Sequence, residues 1–159
     1  MKIEYRATVP IEMQQGATFR GHALVWGDST GPLPELNGYR ERVQKDALQW
    51  DDRTALYLGH SYEGQLPLAR VGAGTLKFRN TDKGLEFEGS LPGWAGDLQE
   101  SLQRRDHTGC LSVGFVCEGE TFDNRARLRT VKAGYLHHVA LVMQGAYPLA
   151  NGAMTDEAV

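Results

Sequence analysis

Long apolar runs are absent from this chain. Nowhere do about 18 consecutive apolar residues occur, the least a membrane-crossing helix needs. The opening segment, MKIEYRATV, spreads its charges along its length instead of placing a charged end before an apolar stretch. Neither a secretory leader nor a membrane partner is therefore expected, and the expected location is the cytosol. Cysteine is scarce as well. The two residues, Cys110 and Cys117, are seven positions apart in one expected strand. At about 3.3 Å per residue they are roughly 23 Å apart, too far for a disulfide, so they read as free thiols in a reducing compartment. No basic block runs through the sequence. Lys plus Arg total 17 against 20 Asp plus Glu, a net charge of −3, which argues against nucleic acid as a partner. The metal signatures HExxH and CxxC are also missing, and no internal repeat or long linker divides the chain.

What remains has the character of one folded unit. A chain of 159 residues with 41% hydrophobic residues can bury one real core, about 70% of its unfolded surface. The expected organisation is a single domain over 1–150, followed by a flexible tail over 151–159 with little to bury. Glycine, at 19 residues, punctuates short alternating runs, the pattern of a β-rich domain. Strands are expected over Ile3–Val9 and Ala17–Trp26 as neighbours, and a short buried one over Ala55–Gly59. A hairpin is expected over Thr75–Leu91, with Lys77 and Arg79 facing Glu86 and Glu88 on its outer side. Helical spacing predicts a short helix over Gln44–Trp50 and an amphipathic one carrying Trp94, Leu98, Leu102 and Arg105. Strands at about Arg125–Lys132 and Tyr135–Met143 complete the reading. Alternation makes Arg125, Arg127 and Arg129 a solvated face.

The segment GCLSVGF, Gly109–Phe115, reads as a strand with Leu111, Val113 and Phe115 on one face. Cys110, Ser112 and Gly114 lie on the other, so one hydroxyl sits among small neighbours. A serine hydroxyl is a weak nucleophile unless a base lies within about 3 Å and a third group fixes that base. Histidine supplies candidates. His60 ends an apolar strand beside the polar loop GHSYEGQ. In YLHHVALV, His138 falls in alternation with Leu136, Ala140 and Val142, and His137 points to the other face. Gly114 reads either as a close approach within the strand or as a position beside an oxyanion site.

Several motifs then occur in one order. GHALVW, YRERVQKDAL, ALYLGHS with LARVG, GLEFEGSL, a helix followed by LSVGF, and LHHVALVMQGAYPLAN together resemble the tailed-phage prohead maturation proteases of the HK97 type. That family is in turn similar to herpesvirus assemblin. The resemblance covers about Gly16 to Ala150. It implies an α+β, mainly β fold: an assemblin-like β-barrel of mostly antiparallel strands with a few short helices. It also implies a serine endopeptidase without a cofactor. Ser112 in LSVGF matches the family's nucleophile, and His60 in LGHS matches its general base. His138 falls where most phage members carry an acidic residue, a departure that assemblin shares by using a second histidine there. A neutral imidazole stabilises the charged base less than a carboxylate does, so a slow enzyme is expected. MQGAY departs too, lacking the family's usual proline before the alanine. The implied substrates are scaffold or the scaffolding segment of the major capsid protein, and the chain itself. Self-association and a location in the host cytoplasm, inside the prohead, are implied with them.

Other readings stay open at this stage. Cys110 shares a face with Ser112 and is intrinsically the better nucleophile. A zinc site from His137, His138 and His60 or His107 is disfavoured, because adjacent strand residues point to opposite faces. A non-catalytic capsid-assembly module of the same fold, or a decoration or ligand-binding barrel, would leave the three residues without a chemical task.

Overall fold

The computed structural model describes residues 3–13 and 18–144. The expected tail over 151–159 and most of the MQGAY segment lie outside these residues. Ten strands form one sheet: β1 (Glu4–Met13), β2 (Thr18–Val25), β3 (Arg40–Val43), β4 (Leu48–Gln49), β5 (Ala55–Leu58), β6 (Ala69–Arg70), β7 (Leu76–Asn80) and β8 (Gly84–Ser90), then, after helix α1 (Gly96–Arg104), β9 (Cys110–Asp123) and β10 (Leu128–Val142). The mainly β architecture with few short helices agrees with the sequence reading. No helix among the described residues is long and apolar enough to cross a membrane.

The strand path runs β6-β5-β10-β9-β1-β2-β8-β7. The expected closed barrel is not found: among the described residues the path is open, ending at β6 and β7. Closure would require a ladder between these two. Instead, the two-residue β6 turns away at once through a 3-10 turn at Val71–Ala73, and β7 pairs with β8. The spine is β10. One edge pairs antiparallel with β9, and the other takes three short parallel strands end to end: β3 at Leu128–Val131, β4 at Gly134–Tyr135 and β5 at His138–Leu141. Such a layout places whatever follows β5 beside the C-terminal half of β10.

The hairpin of β7 and β8 forms in the expected register, with Lys77 opposite Glu88 and Arg79 opposite Glu86, the latter pair 2.9 Å apart. Its inner residues join one core: Leu76, Leu85 and Phe87 pack with Phe19 of β2, Leu102 of α1 and the inner face of β9, Leu111, Val113 and Phe115. Rings of Phe19 and Phe87 lie 5.4 Å apart and tilted, a favourable aromatic geometry.

Four local expectations are corrected. Gln44–Trp50 is not a helix: Asp46 has a φ of 63°, a left-handed turn conformation that ends any helix, and Leu48–Gln49 pair with β10. Trp94 is not on the amphipathic helix. It lies in a 3-10 turn that follows Pro92 and is 61% exposed, while Leu102 buries the helix. The two final strands are one continuous strand, β10, which absorbs the mismatch as register shifts between Val131 and Gly134.

Arg129 does not belong to a solvated face. Arg125 and Arg127 are exposed, but Arg129 is 4% exposed and donates to Glu4 Oε1 (2.6 Å), Glu41 Oε2 (2.9 Å) and Glu120. Alternation counts faces and cannot see that β1, β3 and β9 each bring a carboxylate to that point. Removing the guanidinium would leave the fully buried Glu41 facing two other acids. Arg129→Met is expected to cost about 3–5 kcal/mol in equilibrium urea unfolding, the scale for breaking a buried ion pair from one side. A loss below about 1 kcal/mol would contradict this account of the cluster.

Candidate active site

The site forms where β5 ends beside β9 and β10. Ser112 is the third residue of β9 and pairs with Ala7 of β1 on one side and Ala140 of β10 on the other. Held from both edges, its backbone has little freedom, and its side chain is 2% exposed. Leu111, Val113 and Phe115 point into the core as the alternation requires. Gly59 follows β5 with a φ of 74°, which glycine adopts without strain, and its N–H donates to Leu141 O at 2.8 Å. This turn carries His60 across to the face that bears Ser112.

His138 reaches the same face by a different device. Strict alternation along β10 would place it with Leu136, which is in the core opposite Phe115. The register instead shifts between Leu136 and His138, so that His138 lies opposite Gly114 and Ala140 opposite Ser112. The extra residue is His137. A bulge of this kind reverses the facing of everything after it, and it turns His138 from the core face to the Ser112 face.

Gly114 makes room for the ring. A Cβ built on it would lie 2.7 Å from Nδ1 and 2.8 Å from Nε2 of His138, closer than side-chain atoms approach. Of its two expected roles, Gly114 therefore has the close approach. His138 itself is fully buried.

All three residues singled out from the sequence come together. His60 Nε2 is 2.6 Å from Ser112 Oγ, and His60 Nδ1 is 3.1 Å from His138 Nε2. If Ser112 donates its hydroxyl proton to His60 Nε2, the His60 proton resides on Nδ1 and is donated to His138 Nε2. Burial lowers the pKa of His60 to about 4. For His138 burial acts first, and the neighbouring His60 and His137 add to it, giving about 3. Both rings are therefore neutral at pH 7, and His60 Nε2 is in the form that takes the proton of the Ser112 hydroxyl it faces.

The same shifts set a stability window. Unfolded histidines take up protons near pH 6.5, whereas these two resist until about pH 4 and 3. The unfolded chain then binds more protons below about pH 6.5, so stability falls as pH drops through that window and is complete above it. A melting series should show the midpoint decreasing from pH 7 to pH 5, with a shallower slope in His60→Gln or His138→Gln. A midpoint unchanged over that range would be incompatible with two buried neutral imidazoles.

Cys110 is buried two pairing positions away, opposite Val142, and among the described contacts no histidine nitrogen bonds its thiol. Among the described residues no group of three or more His, Cys, Asp or Glu is arranged to hold a metal. His107 lies in the turn before β9, where Nδ1 accepts from the Gly109 N–H at 3.0 Å.

Two site neighbours were not legible beforehand. Tyr62 packs its ring, tilted, against both His137 and His138, with centroids 5.2 and 4.8 Å away. His137, expected on the opposite face, instead places Nδ1 2.9 Å from His138 Nδ1. The doublet HH was the one signal available, and alternation misassigned it because it cannot anticipate a bulge.

A family model described as caudovirus prohead serine protease matches residues 3–158. No curated protein and no solved structure matches.

Proposed function

The chain belongs to the caudovirus prohead serine protease family, and on that premise we propose that Ser112 is the nucleophile, His60 the general base and His138 the group that positions His60. The observation that carries this reading is the unbroken line from Ser112 Oγ through both nitrogens of His60 to His138 Nε2. Ser112 Oγ attacks the scissile carbonyl while His60 Nε2 takes its proton. The resulting imidazolium keeps its Nδ1–H on His138 and returns the Nε2 proton to the leaving amine. Water, activated by the same nitrogen, then releases the acyl group from Ser112.

Three features make this a slow catalyst. A base with a pKa near 4 has less drive to take a proton than one near neutrality. A neutral imidazole in the third position also supplies no countercharge to the imidazolium. With Ser112 2% exposed, a carbonyl reaches Oγ only after the groups over it part. Low turnover suits an enzyme that acts once on a concentrated substrate within a closed shell.

The substrates in this reading are scaffold or the scaffolding segment of the major capsid protein, together with the chain's own tail near 150–158. The protease domain spans 1–150, and the enzyme works in the host cytoplasm, inside the prohead. Co-expression with a capsid protein that carries its scaffolding segment, or with separate scaffold, tests the substrate class. Trimming of either protein, mapped by intact-mass spectrometry, supports it. Both remaining full-length would overturn it and favour the non-catalytic assembly module.

A further inference from the structure

Exchanging a carboxylate for an imidazole in the third position creates a problem of proton placement. A carboxylate can only accept from the base. A neutral imidazole holds one proton on either of two nitrogens, and only one arrangement lets it accept. With its proton on Nε2, His138 would present an N–H to the N–H of His60 Nδ1, and the line to Ser112 would break. Something must keep the proton on Nδ1, and this requires an acceptor there.

We propose that His137 is that acceptor, a positioning residue whose Nδ1 receives the Nδ1–H of His138 and so commits His138 Nε2 to His60. The proposal rests on the triad reading above and extends it by one residue. Its geometry is direct: the two Nδ1 atoms are 2.9 Å apart. The bulge that turns His138 toward Ser112 is also what brings His137 alongside, so one insertion supplies both the third group and its support.

The surroundings favour a neutral His137 whose Nδ1 is free to accept. From its own strand it meets His138 and, edge-on at 6.4 Å, Tyr135. From the loop after β5 it meets Tyr62. From the turn between β4 and β5 comes Arg53, whose guanidinium lies 5.8 Å from the Tyr135 ring and pairs with Asp51. Burial first and the Arg53 charge second hold the His137 pKa below its ordinary value. Once protonated, the ring carries hydrogens on both nitrogens and can accept nothing.

The test is the rate at which a biotinylated fluorophosphonate modifies Ser112 in the full chain, resolved into maximal rate and half-saturating concentration. His137→Leu fills similar space without an acceptor and is expected to lower the maximal rate about 10- to 100-fold, the range for outer partners of a functional histidine, with half-saturation unchanged. His137→Asn places Oδ1 close to the native Nδ1 and is expected to recover the rate to within about threefold, the remaining loss being small on that scale. The asparagine variant should also hold its rate to lower pH than the native chain, because it has no ring to protonate.

If the leucine variant fails to fold by circular dichroism, His137→Gln replaces it as the displaced acceptor against asparagine. A leucine or glutamine variant as fast as the native chain, or an asparagine variant no faster than these, overturns the role of His137. Failure of the underlying reading looks different: a native chain that is not labelled, or a Ser112→Ala chain that still is, removes the triad itself.

Discussion

Ser112→Ala is expected to abolish processing, lowering the rate of peptide-bond cleavage by on the order of 10⁴-fold or more, as loss of a serine nucleophile does elsewhere. The fold should survive. The substitution removes one oxygen from a side chain that is already almost wholly enclosed, and the strand around it is held by β1 and β10 whatever the residue. His60 Nε2 loses a partner, but His60 is not fully buried and water can replace the hydroxyl. A change in stability within about 1 kcal/mol is expected, the scale of one ordinary hydrogen bond. The comparison to make is the fraction of co-expressed capsid or scaffold protein trimmed over time by the native and alanine chains. Processing by the alanine chain at even a hundredth of the native rate would end the assignment of Ser112.

The second large effect is expected from a single methyl group. Gly114→Ala places a Cβ within 3 Å of both His138 ring nitrogens. The backbone cannot retreat, because Gly114 pairs with Tyr5 on one side and His138 on the other. The ring must move instead, and with it go its contacts to His60 Nδ1 and His137 Nδ1. Overpacking of this kind costs about 1–3 kcal/mol of stability. Displacing a group that orients the base by about 1 Å costs on the order of 10²-fold in rate. Urea unfolding and the cleavage rate read the two effects separately. An alanine chain that cleaves at the native rate would show that His138 need not lie where it does.

Much of the site was legible because serine chemistry demands few residue types, and their order along the chain was distinctive. Local pattern marked Ser112 as an isolated hydroxyl among small neighbours and His60 as a polar strand end, and only the resemblance to the phage proteases gave the two their expected roles. His138 was named, but the path that brings it to Ser112 was not. Alternation placed it with Leu136, and the structure separates the two by a bulge at His137. Period-two patterns carry no signal for an inserted residue, since the insertion is decided by pairing with β9.

Long-range pairing explains the other differences. Arg129 looked solvated because two of its three carboxylate partners, Glu4 and Glu41, are 125 and 88 positions away in the chain. Closure of a barrel could not be judged from strand count, since it depends on whether β6 and β7 meet in a ladder. Asp46 is the local exception. A helical spacing of apolar residues was present, and one residue in the left-handed region overrode it.

The most direct test of the central claim is to locate the fluorophosphonate adduct by peptide mass spectrometry in the native chain and in His60→Ala. The account predicts one adduct, on Ser112, formed at least about 10²-fold more slowly when His60 is removed, since general-base assistance is worth that much or more. An adduct on another residue, no adduct at all, or an equal rate without His60 would contradict it.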